Sequence, residues 1–245
     1  MGDLEIVEAW SRFKPSMAPL NSRSQQPTRT SEKPRLYISS TCPYSQRVWI
    51  ARNFKGLDNV ELIAINLVDK PSWYMENISS CGKVPALEHN NKVKFESLDL
   101  LAYLDDNFGG PKLFSLGSSK REVTSELLNY IEVINHHIFL TLKNRSLSKL
   151  QLDRSIGPMF DRLETSLGRF HTEGPYFLGT ISGVDFAYAP FIERYNVAIQ
   201  EFFKCNIFEN RPRLSRWLYA LNELDFYTIT KPNPRVVLSD MEKNL

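Results

Sequence analysis

The strongest constraint on the fold of this chain is a change of pattern at Gly109-Gly110-Pro111. Before it, short runs rich in β-branched and aromatic residues alternate with helical stretches. After it, only 3.6-residue periodicity remains. The spacing predicts strands over 35–39, 60–66, 84–88 and 92–95, and helices over 43–55, 71–77 and from Ser97 to about Phe108. Pro43 suits a first helical turn, where its missing N–H would be unpaired anyway, and Gly56 suits a helix stop. Asn90-Asn91 suits a hairpin turn because Asn tolerates positive φ. The order β-α-β-α-β-β-α is followed by helical segments at 119–145, 149–170, 183–204 and 213–224. The expected fold class is therefore α/β plus all-α: an N-terminal alternating domain packed on a C-terminal helical domain.

Expected boundaries follow from the same pattern. Residues 1–34 read as a flexible tail, since 14–34 shifts to Ser, Pro, Gln and Thr and offers little apolar surface to offset ordering entropy. Leu4, Ile6, Val7 and Trp10 leave room for a short docking helix within it. The α/β domain spans 35–110, a linker 111–118 and the helical domain 119–245. Ser182-Gly-Val-Asp185 is a capping box that starts a stable helix and carries no chemistry.

Composition narrows the function classes. Among 245 residues the formal net charge is +2, with the basic residues scattered, so nothing demands a nucleic acid. Three cysteines cannot build a disulfide framework, which points to free thiols and a reducing, cytoplasmic setting. A spanning helix needs about 20 apolar residues, and the apolar patch at 131–142 carries Glu132, Asn135, His136 and His137. Asp3, Glu5 and Glu8 argue against a secretory or transit leader, and Ile6 breaks the myristoylation pattern. No membrane partner is expected.

Cys42 is the leading chemical candidate. It follows a buried strand and immediately precedes a helix, in Ser39-Ser-Thr-Cys42-Pro-Tyr-Ser-Gln46. A helix N-terminus carries partial positive charge, which favours a thiolate placed there. Thr41 is a small polar neighbour, and Arg47 adds positive charge one turn along, in a direction the sequence leaves open. A dithiol motif would have a second Cys at 45, and Ser45 stands there instead. Cys42 would then form a mixed disulfide with a small thiol, resolved by a second molecule of it. The competing reading is a buried, inert cysteine.

Two further motifs point at a small ligand. Gly82-Lys-Val-Pro85 suits a sharp turn with a cis peptide, leaving the Val84 backbone at a sheet edge where an extended peptide can pair; the plain alternative is an ordinary turn proline. Glu96-Ser97 before a helix offers a hydroxyl and N–H groups to a carboxylate, with Glu96 ready for an ammonium; the plain alternative is a capping Ser with a solvated Glu. His136-His137 is poor metal spacing, His89 and His171 are isolated, and no metal site is expected. Cys81 lies beside the Val84-Pro85 turn, which could bring it near Cys42 in space for a regulatory disulfide. Cys205 reads as core.

Taken together, strand–Thr-Cys-Pro-Tyr-Ser–helix, Lys-Val-Pro and Glu-Ser before a helix resemble the glutathione transferase superfamily over roughly residues 35–230. A cysteine at the active position resembles its omega, dehydroascorbate reductase and lambda classes. Cys42-Pro-Tyr-Ser-Gln-Arg-Val-Trp-Ile-Ala-Arg-Asn, Lys83-Val-Pro-Ala-Leu-Glu-His-Asn-Asn-Lys-Val and Glu96-Ser-Leu-Asp-Leu resemble the lambda class most. The resemblance implies a thioredoxin-like first domain, Cys42 as catalytic thiol and glutathione as co-substrate, with no metal. It implies that Val84, before a cis Pro85, pairs with the cysteine of glutathione, and that Glu96 and Ser97 hold its γ-glutamyl end. Lys70 or Lys83 pairs with the glycyl carboxylate, and Pro43 and Tyr44 line the same site. The tail departs from the family's short Pro-rich start, and Gly157-Pro158 predicts a late start for the helix at 149–170.

The implied activity is a glutathione-dependent thiol transferase or reductase that removes glutathione from small-molecule adducts, with low conjugating activity. The alternative is a non-catalytic carrier of aromatic or phenolic molecules. A membrane-inserting relative is set aside because Arg47, Arg52 and Lys55 charge the first helix. The expected partners are glutathione and a small hydrophobic or aromatic second substrate, and the expected state is a monomer.

Overall fold

Burial on both faces makes the first strand the centre of the sheet. β1 (Arg35–Ile38) has all four residues buried, as a strand covered on both sides requires. In this computed structural model, which describes residues 18–29, 33–114 and 117–244, β1 pairs in parallel with β2 (Glu61–Ala64) and antiparallel with β3 (Ala86–His89). β3 pairs antiparallel with β4 (Lys92–Lys94), giving the order β2-β1-β3-β4. Asn90 and Asn91 both take positive φ in the β3–β4 turn.

Side-chain alternation along β1 sends Tyr37 to one face. There it packs with Ile63, Ile65, Trp73, Tyr74, Val84 and Ala86, and α2 (Ser72–Asn77) supplies the two aromatic rings nearest to it. The Tyr37 and Tyr74 ring centroids lie 5.4 Å apart. Helices α1 (Pro43–Phe54) and α3 (Ser97–Asn107) pack on one another and bury Val48, Ile50, Ala51, Leu100, Leu101 and Leu104.

The chain divides into two compact units. One is Met1–Gly110 with Ile229–Asn233, and the other is Pro111–Thr228 with Pro234–Leu245. The return of Ile229–Asn233 to the first unit departs from the expected block 119–245. Gln46 Nε2 donates to Thr230 Oγ1 at 3.1 Å, a tertiary bond that no local pattern announces.

The flexible tail expected over 1–34 needs correction where it is described. Leu20 bridges in parallel to Ile65, with its N–H on the Ala64 carbonyl at 2.8 Å. Trp73 Nε1 donates to the Ser24 carbonyl (2.9 Å), and the buried Arg35 donates to the carbonyls of Pro27 (3.1 Å) and Thr28 (2.7 Å). Arg29 reaches Glu88 at 2.6 Å. Polar backbone held by buried donors replaces the missing apolar side chains. The docking helix considered around Trp10 lies outside the described residues, as do 30–32.

The second unit holds α4 (Ser118–Lys143), α5 (Lys149–Leu167), α6 (Gly183–Phe203), α7 (Pro212–Asn222), α8 (Asp225–Thr228) and α9 (Pro234–Asn244). The last two were not expected. α5 does not start late: a Ser148–Gln151 capping box starts it at Lys149, with Pro158 inside. The proline forfeits one helical bond, roughly 3 kcal/mol with its clash. Burial of Leu152, Ile156, Phe160 and Leu163, each about 1.5–3 kcal/mol, exceeds that cost. At the start of α6, the Asp185 carboxylate accepts from the Ser182 N–H (2.8 Å) and hydroxyl (3.0 Å), and also from the Phe177 N–H and Trp217 Nε1. Among the described residues no helix is long and apolar enough to cross a membrane.

Candidate active site

Cys42 is the N-cap of α1, with extended backbone (φ −79°, ψ 118°) and Pro43 opening the first turn. Its N–H donates to the Ser39 carbonyl (3.2 Å), and its own carbonyl accepts from the Gln46 N–H (3.1 Å). The residue is half-buried and packs against the core cluster around Tyr37. Sγ lies 3.7 Å from the Val84 carbonyl oxygen, and the Val84–Pro85 peptide is cis. Strand end, helix start and cis-proline turn thus meet at one sulfur.

Ser45, which stands where a resolving cysteine would, is fully buried; its Oγ accepts from the Ser39 N–H at 3.3 Å and ties strand to helix. Thr41 Oγ1 lies 3.3 Å from Ser39 Oγ. Tyr44 is exposed, with the Arg47 guanidinium 5.2 Å from its ring centre.

The direction of Arg47, left open by the sequence, is inward. It is fully buried, and Nη1 donates to Ser97 Oγ at 3.0 Å. A positive charge is thereby delivered to the start of α3. Ser97 is buried and is the first residue of α3, not its cap; the cap is Glu96, whose carbonyl accepts from the Leu100 N–H at 2.9 Å. Glu96 is exposed and holds φ 61°, ψ 111°, a conformation that costs a non-glycine residue about 1–3 kcal/mol.

The turn before Pro85 is held from within. Tyr74 Oη donates to the Lys83 carbonyl (2.8 Å), and Ser79 Oγ accepts from the Lys83 N–H (3.1 Å). Burial pushes the Tyr74 phenol well above its ordinary value, so it stays a donor. Gly82 has φ +63°, and a Cβ there would stand 2.5 Å from Met75 Sδ and 3.0 Å from Lys70 Cδ. The positive φ is what calls for glycine, since the two side chains it would meet are flexible. The half-buried Lys70 lays its stem across Gly82, whereas the Lys83 side chain is exposed.

Sequence reasoning missed Arg47 as a tie to Ser97 and Tyr74 with Ser79 as clamps on the turn. Its one available signal was a charged residue beside the apolar run Val48-Trp-Ile-Ala51. Cys81 is exposed, 3.6 Å from Ser79 Oγ; that hydroxyl first, then the Lys83 N–H, hold its thiol below the ordinary range. Cys42, Cys81 and Cys205 are all free thiols. His89 is engaged with the Tyr103 hydroxyl (3.0 Å). No group of His, Cys, Asp or Glu among the described residues is arranged to hold a metal ion.

Two family models match: the glutathione S-transferase N-terminal domain over 36–112 and the glutathione S-transferase C-terminal domain over 151–219. Glutathione S-transferase L3 of Arabidopsis thaliana is 42% identical over 227 residues, 92% of this chain and 94% of that protein. The chain belongs to the glutathione S-transferase family, in its lambda class. Glutathione S-transferase L1 of the same plant is 43% identical, over 90% of this chain and 91% of that one. Among solved structures, the trimeric glutathione transferase TDR1 of Leishmania superposes with a TM-score of 0.78 at 24% identity, over 88% of this chain. The match spans about half (48%) of TDR1, and it shows shared fold alone. The thioredoxin-like sheet followed by a helical domain is thus the glutathione transferase architecture.

Proposed function

We propose that the protein is a glutathione-dependent thiol transferase or reductase that works through a mixed disulfide on Cys42. The carrying observation is the Cys42 sulfur at the start of α1, 3.7 Å from the Val84 carbonyl of a cis-proline turn. Family membership supports glutathione as the co-substrate; the cysteine, in place of a hydroxyl, supports disulfide exchange over conjugation.

Glutathione lies extended against the Val84 turn, its backbone pairing with Val84 and its sulfur at Cys42, with Pro43 and Tyr44 beside it. Ser97, its hydroxyl held by the Arg47 guanidinium, takes the γ-glutamyl carboxylate, and Glu96 takes the ammonium. Lys70, braced across Gly82, takes the glycyl carboxylate, and Lys83 is left to solvent. In the first step the Cys42 thiolate attacks the glutathione sulfur of a glutathionylated substrate. A protein–glutathione disulfide forms, the substrate–glutathione disulfide breaks, and the substrate leaves as a thiolate that takes a proton from water. In the second, the thiolate of free glutathione attacks that disulfide and leaves as glutathione disulfide, restoring the Cys42 thiolate. The positive end of α1 stabilises the negative charge returning to Cys42 sulfur.

The test is turnover of a small glutathione mixed disulfide with Cys42→Ser. Loss of turnover with weak conjugation appearing fits the mechanism; full turnover by the serine variant refutes it. A pure carrier would show binding of aromatic molecules and no turnover in either form.

A further inference from the structure

A second thiol stands on the turn that Cys42 touches. Cys81, Gly82, Lys83 and Val84 run in order into the cis Pro85. The Cys81 sulfur lies 3.6 Å from Ser79 Oγ, which accepts from the Lys83 N–H at 3.1 Å, and the same N–H also points toward the Cys81 sulfur. The Cys42 sulfur lies 3.7 Å from the Val84 carbonyl oxygen. Two thiols from different elements thus flank a stretch of two residues, which spans at most about 7 Å. Both sulfurs also lie within the field of the Tyr74 phenol, the group that holds the Lys83 carbonyl.

The two thiols differ in their freedom to move. Cys42 is half-buried at the start of α1, whereas Cys81 is exposed and follows the exposed Ser80. A disulfide needs Cα atoms about 4.4–6.8 Å apart, so Cys81 must leave Ser79 and swing toward the Val84 carbonyl. It gives up one weak contact in doing so and uncovers no core side chain. Gly82, the next residue, supplies a pivot without a side chain. The Ser79 hydroxyl and the Lys83 N–H favour the thiolate of Cys81, which is the attacking form. Ser45 fills the place of a local second cysteine in α1 and is fully buried, so a resolving thiol has to come from another element.

Building on the Cys42–glutathione disulfide of the mechanism above, we propose that Cys81 is a resolving thiol for Cys42 and closes the site when glutathione is scarce. The Cys81 thiolate attacks the Cys42 sulfur. The Cys42–Cys81 bond forms, the bond to glutathione breaks, and glutathione leaves as a thiolate that takes a proton from water. The oxidant is the glutathionylated substrate or glutathione disulfide that loaded Cys42, and its two-electron oxidation stays in the protein. The thiolate of free glutathione reopens the bond at Cys42 and restores the Cys81 thiolate. A second glutathione then frees Cys42 as glutathione disulfide. Thiols tethered this closely meet at an effective concentration of the order of millimolar. Internal closure therefore prevails below that level of free glutathione, and ordinary turnover prevails above it.

The experiment treats the full chain with a small excess of glutathione disulfide, quenches with N-ethylmaleimide and digests without reductant for peptide mass spectrometry. A peptide pair joined through Cys42 and Cys81 is expected, at a yield unchanged by diluting the protein, with about two glutathione thiols released per chain. Cys81→Ser should release about one. It should also hold roughly tenfold more glutathione adduct on Cys42 than the unaltered chain, which resolves its adduct internally. An adduct that stays on Cys42 in the unaltered chain, with Cys81 alkylated, overturns the proposal and leaves the mixed-disulfide mechanism standing. A joined-peptide yield that falls on dilution, the sign of contact between two chains, overturns it in the same way. Failure of Cys42 to take glutathione in either form overturns the mechanism and the proposal together. The joined peptide is read on the unaltered chain, so the result does not depend on the variant folding.

Discussion

Arg47 Nη1 stands 3.0 Å from Ser97 Oγ, so a side chain from the first helix supplies positive charge to the first residue of the third. Removing the hydroxyl leaves a buried guanidinium short of an acceptor, which costs about 1–3 kcal/mol. Ser97→Ala is therefore expected to lower stability by that order and to raise the KM for glutathione about tenfold, with kcat changed less. Denaturant unfolding and steady-state kinetics check both. A Ser97→Thr variant, which keeps the hydroxyl, should recover most of the affinity.

Lysine choice is open to a direct comparison. Lys70 is braced by packing across Gly82, and Lys83 is exposed. Lys70→Met is expected to weaken glutathione binding by about tenfold, the size of one charged hydrogen bond. Lys83→Met should leave it within about twofold, as for an exposed charge of little worth. Calorimetric titration with glutathione reads both. Gly82→Ala should weaken it as well, because the positive φ strains the turn and the new methyl group displaces the Lys70 stem.

The thiols should react in an order set by their surroundings. The Ser79 hydroxyl and the Lys83 N–H hold Cys81 below the ordinary thiol range, whereas burial raises Cys205. At any pH below both values the thiolate fraction is larger for the lower one, so Cys81 is labelled faster than Cys205 at neutral pH. As pH rises, the Cys81 rate should level off first and that of Cys205 continue upward. Iodoacetamide labelling across pH 6–10, read peptide by peptide, checks the order. Ser79→Ala should slow Cys81 at neutral pH.

How much of this was legible before any coordinates depended on the range of the interaction. β1, α1 and the β3–β4 hairpin follow from local signals: a buried strand, Pro43 at a first turn, two asparagines able to take positive φ. Cys42 and the Val84–Pro85 turn were visible for the same reason. Residues 18–29 were not, because their order comes from Arg35 and Trp73 donating to their carbonyls, and side-chain composition does not record where a carbonyl points. The inward path of Arg47 and the clamp from Tyr74 are likewise tertiary facts. The plain alternative of a capping Ser97 fails because Glu96 takes the cap position, at a cost in backbone strain.

The docked segment supplies its own test. Arg35→Met removes the donors to Pro27 and Thr28 and the ion pair with Glu61 at 2.9 Å. Loss of about 1–3 kcal/mol is expected. Limited proteolysis should then cut within 18–29 much faster than in the unaltered protein.

The central claim is that Cys42 carries glutathione during turnover, and peptide-resolved mass spectrometry after exposure to glutathione disulfide tests it most directly. A glutathione adduct on the Cys42 peptide, persisting in Cys81→Ser and cleared by reduced glutathione with release of the disulfide, is the predicted result. Adducts confined to Cys81 or Cys205, with Cys42 unmodified while the protein turns over, would contradict it.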